Sequence, residues 1–132
     1  MAFLGKEFKF VKDENFDGFL KSVGLGAEEV AKLSQYRPST KLEKDGDSYT
    51  FTSTSPARTK VVKFKPGVEQ DDEIKEGLVV KSTYTVDGNV VTQVIKHEDK
   101  VTTFKREYNG DSLKVTITSN FWDGVCNRYY SA

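Results

Sequence analysis

Cysteine is nearly absent from this chain. Its 132 residues hold one, Cys126, so no intrachain disulfide can form and no thiolate cluster is available to zinc, which fits a reducing compartment. An excess of either charge is also missing. The 20 basic and 20 acidic side chains cancel, leaving no global field to gather nucleic acid or an anionic membrane. No segment approaches the roughly 20 apolar residues of a membrane-spanning helix, and the opening stretch, MAFLGKEFKFVKDENF, lacks the apolar run of a secretory leader. These absences predict a cytoplasmic protein with no nucleic-acid partner. Histidine occurs once, as His97 in KHEDK, beside Glu98 and Asp99. A metal or acid–base centre is one reading of that trio, and a solvated polar turn is the plainer one. Cys126 has no histidine near it in sequence, and neither a glycine-rich phosphate loop nor a nucleophile elbow occurs. The chain is therefore not expected to be an enzyme, to bind a metal or to need a cofactor.

What the sequence does contain is hairpins. Asp45-Gly46, Asp87-Gly88, Asn109-Gly110 and Asp123-Gly124 each sit between runs rich in Val, Thr, Tyr and Phe, the pattern of antiparallel strands joined by tight turns. In VVKSTYTVDGNVVTQVIKHE, residues 79–86 and 89–96 form two such strands; KLEKDGDSYTFTS and TTFKREYNGDSLKVTITS read the same way. A meander of this kind loses its exposed edges by closing on itself. Helix is confined to one place. In NFDGFLKSVGLGAEEVAKLSQY, Asn15 is expected to cap a helix over 16–23 whose Phe16, Phe19, Leu20 and Val23 form one stripe, and a second helix spans 27–35. Gly24 and Gly26 separate the two, and Pro38 stops the second. Two helices this short must cover something that the strands build. At this length the chain is read as one domain, residues 1–132.

Alternation assigns the faces. In LKVTITS, Leu113, Val115 and Ile117 share one side, which burial places inward. Thr102, Phe104, Arg106 and Tyr108 share a side of VTTFKREY, and the aromatics put Arg106 with the inner set. On the last strand Cys126, Arg128 and Tyr130 oppose Asn127, Tyr129 and Ser131, and the cysteine favours the first set as interior. Two guanidiniums then point inward with no carboxylate at hand in sequence. Either an internal water, a carbonyl or a distant acid such as Glu69 pairs with them, or the missing anion is a ligand.

A resemblance bears on that choice. KEFKFVKDENFDGFLKSV, residues 6–23, is similar to the N-terminal signature of the intracellular lipid-binding proteins, with Phe8, Phe10, Asn15, Phe16, Asp17, Phe19, Leu20 and Val23 at the family's spacings. VKSTYTVDGNVV, FKREYNGDSL and the terminal RYY continue the match along the whole chain, and most resemble the cytosolic fatty acid-binding proteins of the muscle and adipocyte type. The resemblance implies an all-β fold, a ten-stranded antiparallel up-and-down barrel capped by a helix-turn-helix, over about residues 15–35, between the first two strands. It implies a monomeric carrier of a long-chain fatty acid, with the carboxylate on Arg106, Arg128 and Tyr130. Arg128 and Tyr130 are expected to touch it directly, and Arg106 directly or through a water. Retinoic acid binders keep the same three residues, so a retinoid carrier is the alternative.

Within that frame strand parity makes Ser53, Val115, Ile117 and Cys126 cavity-lining. Phe16 and Leu20 are assigned to the lining and Leu25 to the portal, core and portal wall being alternative readings of this group. Ser55, Ala57 and Arg58 map near the family's portal, although Ala57 replaces the aromatic gate of the adipocyte type. Lys21 and Lys32 on the helices allow transient membrane contact during transfer, against the acidic Glu28 and Glu29.

Overall fold

A computed structural model describes residues 3–24, 26–34, 37–56, 59–75 and 78–132. Ten strands and two helices follow one another: β1 (Glu7–Glu14), α1 (Phe16–Ser22), α2 (Ala27–Ser34), β2 (Ser39–Asp45), β3 (Ser48–Thr54), β4 (Thr59–Phe64), β5 (Glu69–Lys75), β6 (Leu78–Asp87), β7 (Val90–His97), β8 (Lys100–Asn109), β9 (Ser112–Ser119) and β10 (Trp122–Ser131). Every ladder is antiparallel, and the strands lie side by side in the order β4-β3-β2-β1-β10-β9-β8-β7-β6-β5. The first strand thus pairs with the last, and the sheet rolls into a nearly closed barrel.

Three of the expected hairpins turn at Asp45-Gly46, Asp87-Gly88 and Asn109-Gly110, but the fourth does not: Asp123 and Gly124 lie inside β10, and because Trp122 pairs with Ser119 the β9–β10 turn falls at Asn120 and Phe121. β6 is two residues longer than the expected 79–86, and β7 is shifted by one from 89–96. Asp87 pairs with Val90, so Gly88 and Asn89 make a two-residue loop, and Gly88 takes φ +60° there, which costs a residue without Cβ little. His97 pairs with Lys100 around Glu98 and Asp99, an exposed turn in which Glu98 adopts φ +58°.

The seam lies between β4 and β5, the two ends of the strand order. Side chains hold it. Phe64 stacks on Tyr84 with ring centroids 4.1 Å apart, Gln70 Nε2 donates to the Lys63 carbonyl at 3.1 Å, and Lys60 Nζ lies 3.6 Å from Asp72 Oδ1.

Residues with alternate parity fill the inside: Leu42, Tyr49, Phe64, Val80, Tyr84, Val91, Tyr108, Leu113, Val115 and Ile117 are all buried. A second aromatic group, in which Phe3 stacks on Tyr108 at 4.2 Å and Phe8 meets the same ring edge-on at 5.3 Å, packs where the chain enters β1.

The helices fall where the apolar stripe predicts. α1 buries Phe16, Phe19 and Leu20 and packs against α2 and β10. Its start differs from the expected cap. The Asn15 carbonyl accepts the first helical hydrogen bond, from Phe19 N at 3.1 Å, but Asn15 itself is left-handed at φ 64° and its side chain makes no capping bond. Asn15 Nδ2 donates instead to the Val125 carbonyl at 3.3 Å, so the residue ties the helix entrance to β10. That sharp turn is what brings α1 back over the barrel so soon after β1.

Candidate functional site

The inner face carries one row of polar residues that no single strand contains. Arg106 on β8 and Arg128 on β10 both stand opposite Val115 on β9, and Arg128 stands opposite Asp13 on β1. Two strand spacings put the arginines about 10 Å apart at the backbone, within reach of one another's guanidinium. Both are buried, with 9% and 6% of their surface exposed.

Aromatic rings hold each guanidinium. Arg106 lies over Phe51, 4.7 Å from its centroid, and over Phe104 at 5.5 Å. Arg128 lies over Phe16 at 4.1 Å, Phe10 at 4.9 Å and Tyr130 at 6.0 Å. Such contacts are worth about 1–2 kcal/mol each when desolvated, short of the cost of burying a full charge.

Hydrogen bonds and carboxylates supply more, and not from Glu69, which is exposed on β5. Arg106 Nη2 donates to Gln93 Oε1 at 3.0 Å. The Gln93 amide Nε2 donates in turn to Asp72 Oδ2 at 3.4 Å and to Ser82 Oγ at 3.3 Å, and Ser82 donates to Asp72 at 3.3 Å. Because Asp72 accepts, it orients the amide with its oxygen toward Arg106. The chain of contacts ends at Lys60 on the seam. At the other end of the row, Asp13 Oδ2 lies 3.8 Å from Arg128 Nε. Arg106 Nη1 is buried with no hydrogen-bond partner among the described residues.

Neighbouring titratable groups respond to this burial. The Cys126 thiol is fully buried and pushed up to about 12 by desolvation, a shift that Arg128 reduces and that Asp13 and Asp17 increase. Burial also pushes Tyr84 and Tyr108 up to about 12, again with Arg106 acting the other way. A fully buried thiol held in its protonated form packs as a small apolar group.

The sequence-derived candidates fall as follows. Arg106, Arg128 and Tyr130 are buried on adjoining inner rows, with Tyr130 two residues beyond Arg128 and facing Phe10 edge-on at 5.7 Å. Val115, Ile117 and Cys126 are buried on the same wall, Phe16 and Leu20 are buried under α1, and Ser53 is half-buried on β3 opposite Lys60. Ser55 is half-buried just past β3. Leu25, Ala57 and Arg58 lie outside the described residues.

Asp13, Asp72, Ser82 and Gln93 were not anticipated. Gln93 was legible in principle, since it shares the Val91 and Ile95 face of β7. Asp72 sits in EQDDEIK, where polar residues on both faces erase the alternation. Asp13 faces inward only because β1 carries a bulge.

An antiparallel barrel of ten strands, lidded by two helices between its first pair and lined with buried arginines, defines the lipid-binding class of small β-barrels. The sequence matches the lipocalin / cytosolic fatty-acid binding protein family over residues 1–120, and the chain belongs to that family. It is 59% identical to fatty acid-binding protein 1 of Manduca sexta over 132 residues, all of both chains. The crystal structure of a fatty-acid-binding protein isolated from the same species, 57% identical, superimposes with a TM-score of 0.92 over 99% of this chain and 100% of that one. A Schistosoma mansoni fatty acid binding protein in complex with arachidonic acid is 27% identical, with a TM-score of 0.89 over 98% of this chain and 95% of that one.

Proposed function

We propose that the chain is a cytosolic carrier, a single domain acting as a monomer and without catalytic activity, that encloses one long-chain fatty acid with its carboxylate on Arg106, Arg128 and Tyr130. The observation that carries this reading is the pair of buried arginines flanking Val115, one with a buried and unpartnered Nη1. A buried donor with no acceptor costs about 1–3 kcal/mol, and a ligand carboxylate removes that cost. The fatty acids named for the relatives support an acyl chain over a retinoid.

The tail supplies the affinity. About 15 methylenes at ~0.8 kcal/mol each give a gross gain near ~12 kcal/mol, from which the loss of motion on binding must be subtracted. Ten strands enclose more room than their side chains fill, whereas eight are near the limit. The headgroup site adds selectivity more than strength, because an ester or hydrocarbon would leave the guanidiniums without their anion. Release to an acceptor membrane is expected to involve passing contact through α1 and α2.

Calorimetric titration of lipid-stripped protein with a long-chain fatty acid and with the alcohol of equal length tests the proposal. The acid is expected to bind about tenfold or more tightly, and Arg106→Gln and Arg128→Gln to erase most of that margin. Equal affinity for acid and alcohol, or arginine variants with native affinity, would place the anion elsewhere.

A further inference from the structure

The register of β1 against β10 puts an acid where period-two alternation would put a base. Phe8 and Phe10 face inward, and the same parity continued by two residues would bring Lys12 opposite Arg128. The ladder does otherwise. Phe10 pairs with Tyr130, but Lys12 pairs with Tyr129 and Asp13 with Arg128, because Val11 is the extra residue of a β-bulge. Val11 is exposed, and Lys12 lies outside over the Tyr129 ring at 5.1 Å. One inserted residue has exchanged an inward cation for an inward carboxylate.

We propose that Asp13 is a resident counter-ion of the carboxylate site, which occupies Arg128 in the empty barrel and sets how tightly and how selectively an acid is taken. The inference rests on the reading above, that the ligand anion goes to the arginine row.

Its first support is the geometry of the pair. At 3.8 Å the contact is within ion-pair range and longer than a hydrogen bond, and the Asp13 side chain keeps 25% of its surface while that of Arg128 keeps 7%. A partner of this kind is displaceable: Asp13 has water to return to, and Arg128 does not. The second support is the balance of charge along the inner face. Lys60 is matched by Asp72 and Arg128 by Asp13, while Arg106 has an amide, Gln93, and no carboxylate within ion-pair distance among the described residues. Among the described strand residues three such cations face two carboxylates, a surplus of one that a single monoanion cancels; the exposed Arg37, over the Phe10 ring at 5.4 Å, adds positive charge on the Arg128 side.

An incoming carboxylate therefore meets attraction at Arg106 and competition at Arg128. Without Asp13 it would meet less competition at Arg128 and bind more tightly, but the ligand-free protein would lose a carboxylate beside a buried guanidinium. Asp13 lowers affinity for the acid in exchange for a stable empty state, which suits a protein that must also release its cargo.

The experiment is titration of Asp13→Asn and Asp13→Ser, each stripped of lipid, with a long-chain fatty acid and with the matching alcohol. The acid is expected to bind about three- to tenfold more tightly in both variants, the alcohol to change by less, and the melting temperature of the ligand-free protein to fall. In an Arg128→Gln background, removing Asp13 should leave acid affinity unchanged. Acid affinity that is unchanged or weaker in both variants, or acid and alcohol shifting by the same factor, overturns the role of Asp13 while Arg128→Gln still discriminates acid from alcohol. Loss of that discrimination in the native protein overturns the placement of the anion, and the role of Asp13 with it.

Discussion

The guanidinium carbon of Arg128 lies 4.1 Å from the centroid of the Phe16 ring, so the first residue of the helical lid roofs the inner end of the last strand. The same ring meets Phe19, which in turn packs edge-on against Phe104 and tilted against Trp122. The lid and the arginine row are thus one packed unit.

Phe16→Leu keeps an apolar side chain but removes the ring face, and is expected to lower unfolding free energy by about 1 kcal/mol. Phe16→Ala also opens a cavity and should cost about 3 kcal/mol or more. Urea unfolding of both variants measures the difference; native stability in Phe16→Leu would mean that the stack contributes nothing.

Gln93 couples Arg106 to Asp72 through opposite ends of one amide. Gln93→Leu leaves a donor and an acceptor short of partners and should destabilise by about 2 kcal/mol. Gln93→Glu sets a carboxylate against Arg106 and is expected to weaken fatty acid binding by about tenfold. Titration of the Glu variant decides this: native affinity would mean that the ligand anion does not use Arg106.

A Cβ on Gly124 would overlap Cζ2 of Trp122 and come 2.5 Å from its Cε2, and the same indole lies 3.4 Å from where a Cβ on Gly18 would stand. The ring lies between α1 and the Gly124 backbone, and at Gly124 only glycine leaves it room. Gly124→Ala must move it, at about 1–3 kcal/mol. Trp122 is the chain's single tryptophan, so its emission spectrum reports the displacement directly, and an unshifted spectrum at native stability would contradict the packing.

Glu98 holds φ +58° in the β7–β8 turn, a conformation that a side chain disfavours. Glu98→Gly should stabilise the protein by about 0.5–1 kcal/mol, seen as a higher midpoint in urea. A lower midpoint would show that the Glu98 side chain contributes more than its backbone costs.

Alkaline pH should unfold the barrel early. Cys126, with an ordinary value of 9.0, and Tyr84 and Tyr108, at 10.0, are each raised to about 12 by burial. These groups are neutral when protonated, so the folded chain keeps protons that the unfolded chain releases first. The stability they contribute is complete below about pH 9 and is lost as pH rises toward about 12. Urea midpoints are expected to fall across that window, and Cys126→Ala should flatten its lower part; midpoints independent of pH there would refute the assignment.

Much of this architecture is local and therefore readable. Turn dipeptides between β-branched runs mark three hairpins and misplace a fourth at Asp123-Gly124, which lies inside β10; the Phe16, Phe19, Leu20, Val23 stripe marks α1, and alternation turns Arg106 and Arg128 inward. These features depend only on residues a few positions apart, whose period and steric demands the chain itself displays. What accompanies the arginines depends on register between strands far apart in sequence. Gln93 reaches Arg106 across a diagonal of the β7–β8 ladder, Asp72 reaches Gln93 from β5, and Asp13 comes inside because Val11 is squeezed out of the pairing of β1 with β10. The sequence by itself determined that two buried cations would need partners. Only the tertiary structure decided how much of that need the protein meets with its own side chains, because a one-residue slip of a strand turns a lysine outward and an aspartate in.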